Sequence, residues 1–107
     1  MFARVVELRA KFLKAGELAQ TIDRKIIPIL QRQTGFVDEI VLVSDIESDE
    51  ILALSFWKSR QDAERYNREQ YPKVNEIISH LVERAPVIKT FNVDTSTSHK
   101  ITAKKAA

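Results

Sequence analysis

The sequence predicts an α+β domain ordered strand, helix, strand, strand, helix, strand, with two helices on one face of a four-stranded antiparallel sheet. Apolar residues recur at steps of three and four in two stretches, Leu18 to Leu30 and Ala63 to Leu81, the spacing that lines one side of a helix. Between them, FVDEIVLVSD and EILALSFW are apolar, strand-forming runs separated by a short acidic link, as in a hairpin. FARVVELRA and VIKTFNVDT supply the first and fourth strands.

The first strand, residues 2 to 10, ends before the turn-like KFLKAG. The first helix runs from Glu17 to Gln33 with Leu18, Ile22, Ile26, Ile29 and Leu30 on its buried side. Pro28 lies inside it, lacks an amide donor and crowds the carbonyl four residues earlier, so the helix should kink or stop near Ile27. Gly35 suits the left-handed residue that closes a helix, and the second strand follows at once, Phe36 to Asp45. The third strand is Glu50 to Trp57. Ser59 then caps the second helix and Asp62 favours its positive end. That helix buries Ala63, Tyr66, Gln70, Val74, Ile77 and Leu81, with Ile78 alongside, and Pro72 should split or bend it after Tyr71. Pro86 stops it, and the fourth strand starts at Val87. Residues 1–101 form a single domain, and 102–107 are a basic, frayed tail.

The totals agree with one ordered globule: 107 residues, 44% hydrophobic and 30% charged, with two glycines. Seventeen basic and fifteen acidic side chains give a net charge of +2, interspersed along the chain, so no nucleic-acid-binding face is predicted. There is no cysteine, which excludes disulfides, thiolate metal sites and cysteine nucleophiles and fits a reducing compartment. Apolar runs are too short for a membrane span or signal peptide, so the expected location is the cytoplasm. No spacing of His, Asp and Glu matches a metal site, and no cofactor motif is present.

A sheet wetted on one side alternates apolar and polar, yet Ile40-Val41-Leu42-Val43 and Ile51-Leu52-Ala53-Leu54 put apolar groups on both faces. The face away from the helices therefore needs a cover, and the simplest is a second copy of the chain, sheet against sheet.

The opening of the second strand (Gly35, Phe36), the tryptophan that closes the third (Trp57) and the helix entry WKSRQDA together resemble the antibiotic-biosynthesis-monooxygenase-like family, over about residues 2 to 94. The resemblance implies a ferredoxin-like fold and a homodimer whose two sheets form a dimeric α/β barrel. It also implies a pocket for a small apolar or aromatic molecule in each subunit. Members include cofactor-independent monooxygenases, haem-degrading enzymes and proteins without assigned activity. The resemblance thus implies either a cofactor-independent monooxygenase or a non-catalytic, stress-associated binding domain. The haem-degrading branch fits less well, because of its asparagine, tryptophan and histidine only Trp57 is matched. The asparagine position falls on Val5 or Val6 and the histidine position near Asn75 or Glu76. His80 lies about one turn, roughly 5 Å, too far along.

Candidate site residues follow. Trp57 either walls a pocket or plugs the end of a strand, with Phe56 and Phe91 as further pocket-lining candidates. Tyr66 and His80 are the candidate catalytic groups that handle a proton, although Tyr66 also falls on the core stripe; Tyr71 is a second phenol able to hydrogen-bond a bound molecule, although it sits beside the break at Pro72. Glu39, Asp45, Glu47, Asp49 and Glu50 cluster around the hairpin link and read as a solvated acidic turn. By helical phase His80 lies between Ile77 and Leu81, which predicts partial burial, and His99 lies beside the end of the fourth strand. Arg4 and Glu7 interrupt the first strand on opposite faces. Whichever points into a pocket can bind an anionic or phenolic group, and an ion pair or a rim position explains them equally well.

Overall fold

The computed structural model describes residues 1–102, so the basic tail predicted from 102 onward lies almost wholly outside the described residues. Strands β1 (Phe2–Arg9), β2 (Phe36–Val43), β3 (Glu50–Trp57) and β4 (Val87–Asn92) form one antiparallel sheet in the order β2-β3-β1-β4, and the helices pack on one side of it. This is the ferredoxin-like α+β arrangement that the element order predicts.

Each predicted helix is present but broken where its proline requires. The first consists of α1 (Ala15–Thr21), a π-helical turn (Ile22–Ile26) and α2 (Ile27–Gln31). In the widened turn the Ile27 amide donates to the Ile22 carbonyl, five residues back. Pro28 follows directly, and its ring would collide with the Arg24 carbonyl in a regular helix, so the chain widens one turn instead of stopping. The second helix is divided at Gln70 into α3 (Arg60–Glu69) and α4 (Tyr71–Ile78), with Pro72 in the first turn of α4, where no amide donor is needed. A 3₁₀ turn, Ser79–Leu81, ends it.

The helix entry after β3 is built as its sequence suggests. Ser59 accepts a hydrogen bond from the Asp62 amide at 3.2 Å and donates one to the Asp62 carboxylate at 2.9 Å. Gly35 faces this cap with φ of 80°, and a Cβ there would run into the Asp62 side chain, so both conformation and space demand glycine.

On the helix side of the sheet, cross-strand partners fall into rows. Phe2, Trp57 and Phe36 form an aromatic row near one end. Val6, Ala53 and Val41, then Leu8, Ile51 and Val43, form two aliphatic rows toward the other. With Leu18, Ile22, Ile26 and Leu30 from the first helical arm and Ala63, Tyr66, Val74 and Ile78 from the second, these rows, apart from the half-exposed Val43 at the strand end, enclose the core. The open face carries Val5, Ile40, Leu42, Leu52, Leu54, Phe56 and Phe91 by the same registers, and Ile40, Leu42 and Phe91 are 41%, 48% and 51% exposed. Among the described residues its Phe56 end is covered from within, where the His99 ring lies 5.8 Å from that of Phe56 and its Nε2 lies 3.6 Å from Asp38.

Candidate functional site

Between the aromatic row and the aliphatic rows runs one that is polar throughout. Thr90 of β4 stands beside Arg4 of β1, Arg4 beside Ser55 of β3, and Ser55 beside Glu39 of β2. Arg4 is only 3% exposed, and burying a guanidinium and a carboxyl beneath helices costs free energy that an apolar pair would not. Ser55 has a structural role: its hydroxyl accepts the indole N–H of Trp57 at 2.9 Å.

Two helical residues close over the row. The Arg4 guanidinium carbon lies 4.2 Å from the ring centre of Tyr71 and 5.3 Å from that of Tyr66, a double cation–π contact. It also donates one hydrogen bond, from Nη2 to Oδ1 of Asn67 at 2.9 Å. The Nε of Arg4, one carboxylate oxygen of Glu39 and the hydroxyl of Tyr71 are enclosed with no hydrogen-bond partner among the described residues. Nor does Arg4 form an ion pair among them.

Electrostatics follow from this burial. Glu39 is pushed up to about 8, chiefly because its charged form loses water, with the Arg4 charge pulling it partly back and Asp38 adding to the rise. Burial likewise raises both tyrosines above the usual phenol range, so they are neutral donors at neutral pH. It lowers Arg4 from its ordinary value, yet a guanidinium stays charged at neutral pH.

Two cavities meet at Arg4. The inner one, about 30 Å³, has Arg4, Glu39, Tyr66 and Tyr71 at its polar end and aliphatic walls that include Ile22, Ile26, Val74 and Ile78. Both helix breaks border it: Ile22 and Ile26 belong to the π turn, and Tyr71 opens α4. The outer one is a cleft of about 390 Å³ between β1, β4 and α3, lined by Phe2, Arg4, Arg60, Asn67, Ile88 and Thr90 among others.

Of the residues picked out from the sequence, Tyr66 lines the inner cavity. Trp57 is fully enclosed; its ring packs 5.1 Å from Tyr66 and 5.6 Å, edge-on, from Phe36, and it borders neither cavity. Phe56 cannot share its side, because adjacent strand residues point to opposite faces. Phe56 and Phe91 instead flank Ala3 on the open face. His80 is exposed, contrary to the predicted partial burial, because α4 ends at Ile78 and the tighter 3₁₀ turn changes the phase, sending Leu81 inward and His80 out. Of the pair weighed on the first strand, Arg4 points inward, while Glu7 meets Lys89 at 3.3 Å.

Tyr71, weighed from the sequence beside Tyr66 as a phenol able to reach a bound molecule, does come to the row. Glu39 corrects an expectation: its place near the acidic hairpin link suggests a solvated turn, but one of its carboxylate oxygens is enclosed on the helix side. Phe36 and Glu39 are three apart, so strict alternation puts them on opposite faces, but a bulge between Phe36 and Asp38 brings both to the helix side.

No family model matches the chain, and no curated protein matches its sequence. Solved structures do match. The cofactor-independent oxygenase SnoaB from Streptomyces nogalater superposes with a TM-score of 0.75 at 13% identity, over 90% of this chain and 95% of its own. The monooxygenase ActVA-Orf6 of Streptomyces coelicolor, solved with the ligand Nanaomycin D, gives 0.71 at 15% identity over 89% and 88%. A protein of unknown function from Nitrosomonas europaea gives 0.76 at 14% identity over 90% and 91%. At such identities the likeness is one of architecture: the chain has the ferredoxin-like fold of antibiotic-biosynthesis-monooxygenase-like proteins.

Proposed function

We propose that the chain is a cofactor-independent monooxygenase acting on a small, electron-rich aromatic molecule, with Glu39 taking the substrate's proton. The observation that carries this reading is the enclosed Glu39 carboxyl, raised to about 8, in one row with a buried arginine. A base works best when its pKa lies near the operating pH, and a carboxylate in water falls well short of that. Arg4 stabilises the oxyanion that develops when the proton leaves, and the neutral hydroxyls of Tyr66 and Tyr71 donate to it. The resulting anion reacts with dioxygen directly. For an anthrone-like substrate a ring CH₂ becomes a carbonyl: one oxygen atom enters the carbonyl, and the other leaves as water with the two hydrogens. The substrate supplies every electron that dioxygen takes up.

The working unit in this proposal is a homodimer joined through the open face of the sheet. Ile40, Leu42 and Phe91 support it, since apolar surface left in water forgoes roughly 25 cal/mol per Å².

A second reading, a non-catalytic domain that holds a small molecule, is favoured by the tightness of the inner cavity. Its 30 Å³ admits a water or two, whereas a cavity near 150 Å³ is what takes up benzene. Catalysis therefore requires side chains to part at the helix breaks beside Tyr71 and the π turn. Oxygen uptake with anthrone or a simple quinol separates the readings. Uptake that drops in Glu39→Gln and in Tyr66→Phe supports the oxygenase; saturable binding without uptake supports the binding domain and rejects the catalytic role.

A further inference from the structure

We infer that the outer cleft is a recognition site for an organic monocarboxylate, a small molecule with one carboxylate on an apolar body. The cleft's volume, about 390 Å³, falls within the range of small-molecule sites. Its deepest polar group, Arg4, is buried, positively charged and without a carboxylate partner among the described residues, so the fold bears the cost of burying a cation without a counter-ion. An anion in the cleft supplies that counter-ion.

The other polar groups point to the same ligand. Arg60, at the start of α3, reaches over the Phe2 ring at 5.4 Å, has no ion pair among the described residues, and lines the same cleft. The Asn67 oxygen already accepts from Arg4, which leaves its amide N–H groups as donors, and Thr90 adds a hydroxyl. Glu64 also borders the cleft, so two arginines and one glutamate leave a single positive charge. That balance suits a carboxylate and penalises a phosphate, which carries close to two negative charges at neutral pH. Phe2 and Ile88 supply the apolar wall for the body of the ligand.

The proposal concerns binding alone and stands whether or not the inner cavity is catalytic. Calorimetric titration of the full chain with 2-naphthoate, 2-naphthamide and 2-naphthyl phosphate tests it. Naphthoate should bind at least tenfold more tightly than the neutral amide and more tightly than the phosphate, and the preference should shrink as salt is raised. Arg60→Gln, an exposed change that leaves the core intact, should weaken naphthoate about tenfold; Arg4→Met should abolish its advantage over the amide. Glu39→Gln should keep it, which separates this inference from the catalytic proposal. Equal binding of acid and amide, a preference for the phosphate, no naphthoate binding at millimolar concentration, or an unaffected Arg60→Gln variant overturns the inference.

Discussion

The two faces of this sheet are built from the same strands, yet they break the usual patterns in opposite ways. The helix side is covered over most of its width and apolar apart from one row, Thr90, Arg4, Ser55 and Glu39, where charge lies under helices or at the outer cleft. The open side is where charge is ordinary, as in the Glu7–Lys89 pair, and where the unusual feature is exposed Ile40, Leu42 and Phe91. A buried charge and an exposed apolar patch are each unfavourable for an isolated folded chain. The first indicates chemistry or a ligand, the second a partner, and comparing the faces keeps the two arguments apart.

The sharpest way to test the difference is to neutralise the helix-side charge. Glu39→Gln should lower turnover on a quinol-like substrate by about 10²–10⁴-fold, the usual worth of a positioned base, while far-UV circular dichroism stays the same. A change of less than threefold removes Glu39 from the proton transfer.

Next in size is a contrast between two aromatic residues. Trp57→Ala should cost about 3–5 kcal/mol in urea unfolding, because it empties a fully enclosed site and strands the Ser55 hydroxyl. Phe91→Ala, half exposed on the other face, should cost under about 1 kcal/mol in the monomer. Equal costs would mean that the open face is as well packed as the closed one.

The open face has its own test. Leu42→Asp places a charge in the centre of the proposed interface and should weaken self-association about 100-fold by sedimentation at micromolar concentration, with unfolding of the isolated subunit little changed. Wild-type protein that sediments as a single subunit under those conditions refutes the homodimer.

Much of this comparison can be read from the chain itself. Apolar, strand-forming runs place every strand and a spacing of three and four places both helical arms, Ser59 and Asp62 mark the helix entry, and the lack of alternation in β2 and β3 announces an unsatisfied face. The site is harder to read because it depends on register. Arg4 stands out as a polar break in a strand, but Glu39 joins it only because the bulge after Phe36 reverses the expected alternation. Tyr71 looks like a helix-break residue until the second arm divides at Gln70 and turns its ring over the guanidinium. Trp57 attracts notice for its size, and its indole N–H is satisfied by Ser55, two residues away.

Stability against pH gives a smaller effect of definite sign. The carboxyl of Glu39 rises from an ordinary 4.5 to about 8 on folding, so the folded chain holds this proton more tightly than the unfolded one. Its contribution to stability is fully present below about 4.5 and is lost as pH rises through about 8. Discounting for the partly exposed residue, wild type should lose about 2 kcal/mol relative to Glu39→Gln between pH 5 and 9. Parallel profiles for the two proteins would mean that Glu39 titrates normally in the folded state.

The smallest expected effect concerns the residue that best fits a proton-transfer role by type alone. An imidazole titrates near neutral pH without help from its surroundings, which is why His80 is a candidate from sequence. Its place in the 3₁₀ turn removes what such a role needs: it is exposed, borders neither cavity, and lies outside the row that holds Arg4 and Glu39. His80→Ala should therefore leave both turnover and naphthoate binding within twofold of wild type. A larger loss would show that the turn rearranges when substrate binds, and would move the proton-transfer site from the helix face of the sheet to the end of the second helical arm.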